Sequence, residues 1–273
     1  MLVDNDIYKI TRTDKVDFLQ FKKLLEYPEL THCFTLKRHD VGFFPKRLDY
    51  LPDHEAYKFI KRYFNIIDET LIRPVQEHTD NLIIYTETYD QANLLLPADG
   101  VVTDDKYVCV ATIEADCIPM ILYDPVKKVV ANVHSGWKGT VQKIGVKAVN
   151  SMVENYGCNP EDIICCMSPS IGKDHFLVHD DVKQIYEETF GDLLKKNKLI
   201  EDNNISDEKG KQYNIDNPGI YKVLLKEAGL KSENIIDAGL CTICNNEEFH
   251  SARFEGPEFK EGLLVTMIKN DVK

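Results

Sequence analysis

The sequence has no long hydrophobic run. No stretch of its 273 residues approaches the roughly 18 uncharged apolar residues that a membrane-spanning helix needs. The first residues, MLVDNDIYKITRTDKVDF, carry scattered charges and lack the apolar segment of a secretory signal peptide. We therefore expect a cytoplasmic protein with no membrane partner.

Positive charge is in deficit. The chain has 33 Lys and Arg residues against 45 Asp and Glu residues, which gives a formal net charge of -12. Binding to a nucleic-acid backbone depends on clustered cations that release phosphate counterions. Nucleic acid is therefore not expected as a partner, whereas a local basic pocket for a small anion is compatible with this balance.

Internal repeats, low-complexity tracts and linkers rich in Pro, Gly or Ser are also missing. The most polar interval, KKNKLIEDNNISDEKGKQ at 195–212, is typical of an exposed loop rather than a domain boundary. With 43% hydrophobic residues the chain can bury a sizeable core. We predict one domain over residues 1–273.

Hydrophobic periodicity predicts the secondary structure. Helical spacing occurs at 17–27, 54–67, 140–157, 181–190 and 217–230, and the third of these ends at Gly157. Strand-like runs lie between them: THCFTL, LIRPVQ, NLIIYTE, YVCVATIEA, MILYD, VVANVH, DIICCMS, NIIDAG and GLLVTMI. Several runs are apolar at successive positions, as in sheets covered on both faces. The predicted fold class is α/β (α+β), with a mixed β-sheet core flanked by helices.

The eight cysteines do not predict disulfides, because the chain is long and has no secretion signal. They are better explained as buried thiols plus one ligand or nucleophile. The pair Cys241 and Cys244 in CTIC could be half of a structural zinc site. A single CxxC without a second pair is a weak signal, so we interpret these residues as buried thiols near a turn.

His78, Cys117 and His134 each stand at the end of a strand-like run. Two imidazoles and a thiolate can hold a tetrahedral Zn(II) with an open fourth position, the pattern of a catalytic site. The same ligands suit copper, for which a long axial methionine is expected, but Met120 in the apolar run PMIL is better explained as a core residue. Without a metal, Cys117 could be a nucleophile, with His134 as its base and Asp116 orienting the imidazole. These three alternatives stay open from the residues alone.

The segment HSGWKGT predicts an anion site beside His134. Gly136 and Gly139 permit close backbone approach or positive φ, and a helix is expected to begin near Thr140. Lys138 would add a point charge. A strand-to-helix turn with Trp137 in the core is the structural alternative.

At these positions the sequence resembles the laccase-domain proteins, also called multicopper polyphenol oxidase-like and now treated as purine nucleoside phosphorylases. The resemblance covers about residues 30–270 and depends mainly on EADCIP and HSGWKG. It also includes QEH at 76–78, SPSIGKDHFLV at 168–178 and CTICNNEEFHSARFEG at 241–256. It implies a single domain of the laccase-domain or cytotoxic-necrotizing-factor-like type.

The resemblance implies that His78, Cys117 and His134 are the catalytic metal ligands. We assign Lys138, Arg253, Gln76 and Asp116 to the binding of substrate and phosphate. Three departures occur: Lys138 stands where many members have arginine, Phe254 replaces a second arginine beside Arg253, and FTLKRHD stands near the start where the family has S-T-R-x-G-G.

The implied activity is zinc-dependent phosphorolysis of adenosine, inosine, guanosine and methylthioadenosine, with adenosine deamination as a second reaction. Purine nucleosides and phosphate are then the partners. The alternatives are a copper-dependent polyphenol oxidase, a cysteine hydrolase that edits peptidoglycan, and a non-enzymatic binding module. Multicopper oxidation needs about ten histidines for its copper centres, and the chain has 8. The sequence predicts no oligomeric state.

Overall fold

Two mixed β-sheets and the helices that cover them form the framework of the molecule. The computed structural model describes residues 1–43, 51–66, 70–86, 97–106, 108–208 and 210–269. In chain order the strands are β1 (Tyr8–Thr11), β2 (Phe18–Phe21), β3 (Leu30–Thr35), β4 (Thr70–Ile72), β5 (Leu82–Tyr85), β6 (Gly100–Thr103), β7 (Val108–Glu114), β8 (Ile118–Asp124), β9 (Val129–Ser135), β10 (Ile164–Met167), β11 (Leu177–Val178), β12 (Ile200–Asp207), β13 (Gly210–Ile215), β14 (Ile235–Asp237) and β15 (Gly262–Ile268).

The helices differ widely in length. They are α1 (Lys22–Leu25), α2 (Glu55–Tyr63), α3 (Trp137–Val141), α4 (Ile144–Tyr156), α5 (Asp180–Phe190), α6 (Asp192–Lys196), α7 (Asn217–Glu227) and α8 (Ala252–Glu255). Helix α4 ends at Gly157, whose φ of +67° is the left-handed conformation that commonly terminates helices. This stop was predicted from the sequence.

Within the described residues, the first sheet has six strands in the order β1-β2-β3-β15-β7-β4, and the second has six in the order β14-β10-β8-β9-β6-β5. Most neighbours are antiparallel, while β4 with β7, β5 with β6, and β10 with β14 are parallel. A smaller sheet joins β11, β13 and β12. The predicted class, α/β with mixed sheets flanked by helices, is therefore confirmed.

The two large sheets pack face to face through apolar side chains. Phe34 and Leu264 of the first sheet share one cluster with Ile121 and Val130 of the second. Helix α2 covers the outer face of the first sheet, and helices α4 and α7 cover that of the second. Both faces of β7, β8 and β9 are buried, which explains their continuous apolar sequences. The strand ends at one edge of this sandwich then supply the candidate site.

Three local predictions were wrong. The 17–27 segment begins as β2, because pairing with β1 and β3 buries all four of its side chains and overrides the helical spacing. The predicted helix at 140–157 is divided between α3 and α4, and Lys143 between them has a φ of +61°. The interval 195–212 is largely exposed, but it forms the β12–β13 hairpin rather than a loop.

In the part of the chain that the structure describes, no helix is both long and apolar enough to cross a membrane. The extent of the domain, residues 1–273, stays a prediction.

Candidate active site

A cavity of about 660 Å³ lies where several segments meet at the edge of the sandwich. Its lining includes every residue that the sequence selected for the site: Gln76, His78, Asp116, Cys117, His134, Lys138 and Arg253. They come from the loop before β5, the turn between β7 and β8, the end of β9 with the start of α3, and helix α8. The fold thus brings together residues that are far apart in sequence.

Three ligand-type side chains converge in this cavity. The nitrogen and sulfur ligand atoms of His78, Cys117 and His134 lie within 4.8 Å of one another. Sγ of Cys117 is 3.6 Å from Nε2 of His78, and the two imidazole rings are nearly perpendicular with centroids 4.9 Å apart. Sulfur and nitrogen ligands of a tetrahedral zinc ion lie about 3.6 Å apart when the bonds have ordinary lengths. The separation of Cys117 and His78 therefore matches that of two ligands of one zinc ion.

The buried carboxylate of Asp99 positions both histidines. It accepts a hydrogen bond from Nδ1 of His134 at 2.7 Å, so Nε2 of that ring is left for the ligand cluster. It also accepts from the backbone N–H groups of His78 at 3.0 Å and Thr79 at 2.6 Å. His78 has a φ of +58°, and these hydrogen bonds hold its loop in that left-handed conformation.

Asp99 is ionised in this arrangement. Burial raises the pKa of its carboxyl group, but the hydrogen bonds from His134 and Thr79 outweigh it, and the pKa lies below its ordinary value. A carboxylate that accepts from the distal nitrogen of a ligand histidine fixes the tautomer and ring orientation. Sequence reasoning missed Asp99, because nothing in PADG links it to the distant histidines.

Gly136 leaves room for the ligand cluster. A β-carbon at this position would lie 2.5 Å from Cδ2 of His78 and 3.0 Å from Sγ of Cys117. The φ of Gly136 is -73°, which any residue can adopt. Close approach rather than positive φ is therefore the reason for this glycine.

The surroundings of Cys117 and His78 shift the pKa of each side chain in the direction that favours its neutral form. Burial, followed by the charges of Glu114 and Asp116, raises the pKa of Cys117 well above its ordinary value. Burial and the nearby His134 lower the pKa of His78. Neutral imidazole is the form that binds metal, whereas a thiolate at Cys117 needs a cation beside it.

Two cationic side chains stand at the mouth of the cavity. Lys138 is exposed, with Nζ 5.8 Å from the centroid of the Trp137 ring. Arg253 is also exposed, and its Nη1 donates to the carbonyl oxygen of Leu177 at 3.3 Å. Trp137 is half-buried and lines the cavity, so it is a wall of the site as well as part of a hydrophobic cluster.

Asp116 and Gln76 line the cavity but use their polar atoms within the protein. The carboxylate of Asp116 accepts from Oγ1 of Thr242 at 2.5 Å and from the backbone N–H of Arg253 at 2.8 Å. The amide of Gln76 donates to the carbonyl oxygen of Ile113 and accepts from its N–H. These contacts indicate positioning of Cys117, Arg253 and the loop of His78, and the assignment of both residues to substrate binding stays a prediction.

Two further acids near the site, the buried Glu114 and the half-buried Glu261, were also not selected from the sequence. Oε2 of Glu114 lies 3.7 Å from Nε2 of His134, and burial raises the pKa of Glu114 well above its ordinary value. Burial raises the pKa of Glu261 to about 8, against a smaller opposing effect of Arg73. Among the described residues, Oε2 of Glu261 has no hydrogen-bond partner. Glu261 is therefore mainly a neutral carboxylic acid at neutral pH.

Met120 is not placed as a metal ligand. It is fully buried beneath α4, where its Sδ would be 3.2 Å from a β-carbon built at Gly145. Neighbouring residues of a strand point to opposite faces, and Met120 faces the hydrophobic cluster rather than the cavity. Met120 is therefore a core residue, as its place in the apolar run PMIL predicted, and it is not an axial ligand of a copper ion.

Comparisons with known proteins identify the family of this chain. A family model described as multi-copper polyphenol oxidoreductase laccase matches residues 54–270. Purine nucleoside phosphorylase YlmD of Bacillus subtilis is 34% identical over 174 residues, which are 64% of this chain and 59% of that relative. Purine nucleoside phosphorylase LACC1 of Mus musculus is 32% identical over 59% of this chain, and that of Homo sapiens is 31% identical over 63%; the matches span 36% and 38% of those relatives. The chain therefore covers less than two thirds of the length of these relatives.

A further relative and a solved structure extend the comparison. Adenosine deaminase RL5 of an unknown prokaryotic organism is 29% identical over 191 residues, which are 68% of this chain and 70% of the relative. The crystal structure of the hypothetical protein YfiH of Bacillus licheniformis has a TM-score of 0.75 and 25% identity, and covers 94% of this chain and 98% of that one. The family model matches residues 54–270, which are well over half of this chain. The chain therefore belongs to the family described as multi-copper polyphenol oxidoreductase laccase.

Proposed function

We propose that this chain is a zinc-dependent purine nucleoside phosphorylase for adenosine, inosine, guanosine and methylthioadenosine, with adenosine deamination as a second activity. The convergence of His78, Cys117 and His134 in one cavity with Lys138 and Arg253 is the observation that carries the proposal. The names of the Bacillus subtilis relative and of the deaminase relative support both reactions.

The metal ligands of the proposal are His78, Cys117 and His134. A donor set of two imidazoles and one thiolate, whose ligand atoms lie within 4.8 Å of one another, suits Zn(II) and leaves one position open. Bound there, the ion would polarise an oxygen or nitrogen atom of the substrate, or lower the pKa of a water molecule for deamination. Asp99 keeps both histidines oriented for this role.

Phosphate is held by the two cations at the mouth. In phosphorolysis a phosphate oxygen attacks C1′ of the ribose while the bond from C1′ to the purine nitrogen breaks, and the products are ribose 1-phosphate and the free base. The sugar gains positive charge in the transition state, so a dianion held beside it is favourable. Lys138 supplies a point charge, and Arg253 is positioned through its backbone by Asp116.

The purine is expected between the aromatic and apolar walls. Trp137, Phe176 and Phe259 line the cavity, and its volume of about 660 Å³ is within the range of small-molecule sites. Glu261 also lines it and is protonated at neutral pH, so it is our candidate for the acid that donates a proton to the leaving base.

The raised pKa of Cys117 weighs against the cysteine-hydrolase alternative, because a nucleophilic cysteine needs a lowered pKa.

Copper-dependent oxidation would need further copper ligands. Among the described residues, groups of three or more His, Cys, Asp or Glu residues with metal-ligand spacing occur at only two places.

The test is release of hypoxanthine from inosine in the presence of phosphate. We expect activity that a chelator abolishes, that added zinc restores, and that Cys117→Ala lowers by about 100-fold or more. Cys158→Ala is the matched control, because this thiol is buried in the cluster beneath α4, outside the cavity lining. Hypoxanthine release that Cys117→Ala leaves unchanged would contradict the proposal, and phenol oxidation with stoichiometric copper would favour the oxidase.

A further inference from the structure

A second group of ligand-type side chains lies outside the cavity lining. The ligand atoms of His175, Cys241 and Cys244 are within 4.8 Å of one another. Nδ1 of His175 is 3.5 Å from Sγ of Cys241 and 3.7 Å from Sγ of Cys244. Both distances lie close to the separation of about 3.6 Å between sulfur and nitrogen ligands of one tetrahedral zinc ion.

This cluster corrects the interpretation of CTIC as two buried thiols. Cys241 is half-buried, but Cys244 is exposed, so an ion can reach it from solvent. The missing partner of the CxxC pair is a histidine from a different segment, which the spacing of the cysteines does not reveal. A CxxC pair with one histidine supplies three of the four ligands of a Cys-rich zinc site and leaves a position for water.

The backbone around the cluster fixes the positions of Cys241 and His175. The N–H of Gly172 donates to Sγ of Cys241 at 3.2 Å, and Ser170 forms a parallel β-bridge with Cys241. The N–H of His175 donates to the carbonyl oxygen of Gly172 at 3.0 Å, which closes a turn and presents the imidazole. A β-carbon at Gly172 would lie 3.1 Å from Cβ of Cys241, so the two segments are already in close contact.

We propose that His175, Cys241 and Cys244 form a second metal site, which binds a thiophilic divalent cation such as Zn²⁺ and joins two walls of the cavity. Both segments continue into the first site. Ile171 and Phe176 line the cavity on either side of Gly172 and His175, and Thr242 donates to the carboxylate of Asp116 beside Cys117. An ion in the second site therefore stabilises the wall of the nucleoside cavity and takes no part in the chemistry.

The test is to count bound ions in the full chain. After loading with Zn²⁺ under reducing conditions and removal of excess metal, we expect about two ions per chain in the wild type and about one in Cys244→Ala. Cys117→Ala should also retain about one ion, and the double variant should retain about none. Cys158→Ala is the control and should keep the wild-type content. Cys244 is exposed, so its replacement removes no core packing.

Cobalt substitution identifies the site that remains. Thiolate-to-cobalt absorption scales with the number of bound thiolates, so Cys244→Ala should remove about two thirds of it and Cys117→Ala about one third. The proposal is overturned if the wild type binds a single ion that Cys244→Ala leaves in place. It is equally overturned if Cys241 and Cys244 form a disulfide that persists in reductant and takes up no cobalt. Neither result depends on nucleoside turnover, so the function of the first site is tested separately.

Discussion

Gly136→Ala should disable the first metal site without unfolding the protein. The added β-carbon would be 2.5 Å from Cδ2 of His78, whereas ordinary contacts begin at 3.4 Å. The imidazole would therefore have to retreat by about 1 Å, and metal ligands tolerate errors of only about 0.2 Å. The backbone dihedral angles of Gly136 are allowed for alanine, so the substitution should act only through the steric contact of its added β-carbon. We expect zinc affinity to fall by about 100-fold, or about 2.8 kcal/mol.

The assay is competition for Zn²⁺ with a chromophoric chelator, with circular dichroism to show that the fold is retained. Gly139→Ala is the matched control, because its β-carbon would meet Ser135 and Ile144 and neither of the ligand histidines. Affinity for zinc in Gly136→Ala equal to that of Gly139→Ala would refute the reasoning. It would mean that His78 is not a ligand or that its loop moves freely.

Three further perturbations test other parts of the structure. Asp99→Asn should lower zinc affinity by about 10- to 100-fold in the same competition assay, because an amide can donate to Nδ1 of His134 and shift its tautomer. Lys138→Ala should raise the KM for phosphate by about 10-fold and leave adenosine deamination unchanged, with Lys138→Arg close to wild type in steady-state kinetics. Buried His32 has a pKa lowered to about 3 by burial, so the free energy of unfolding should fall by up to about 1.4 kcal/mol per pH unit between about pH 6 and 4. His32→Gln should flatten that slope in urea titrations.

The sign of the His32 effect follows from proton binding. The unfolded chain takes up a proton on His32 below its ordinary pKa, while the folded chain does not until the pH is far lower, so acid favours unfolding. The backbone N–H of Phe21 donates to Nε2 of His32 at 2.9 Å, and a glutamine oxygen can accept in its place. An unchanged slope in His32→Gln would show that other groups, such as buried carboxylates, control acid unfolding.

The secondary structure could be predicted where burial gives a simple pattern. β7, β8 and β9 are apolar at successive positions because both faces of each strand are covered. The division into two sheets could not be predicted, because it depends on pairs such as β3 with β15, which lie near opposite ends of the chain. The 17–27 segment was wrongly predicted for a different reason, because its first residues pair as a strand with the neighbouring strands β1 and β3, and this pairing overrides their helical spacing.

The residues of the candidate site could also be predicted only in part. His78, Cys117, His134 and Lys138 are marked by short, recognisable motifs, and the structure places all of them in one cavity. Asp99 and Glu261 carry no such mark, because their importance arises from burial and from which atoms they face. His175 became a partner of CTIC only when a turn and a β-bridge brought the two segments together.

The position of Trp137 makes tryptophan fluorescence a specific probe of the cavity. It is the chain's single tryptophan, it is half-buried, and it lines the cavity with the ammonium group of Lys138 near its ring. Indole emission excited apart from the 13 tyrosines therefore comes from this wall alone. A purine stacked on the indole, or an anion drawn to Lys138, would change that emission directly, so ligand titrations need no label and no engineered reporter.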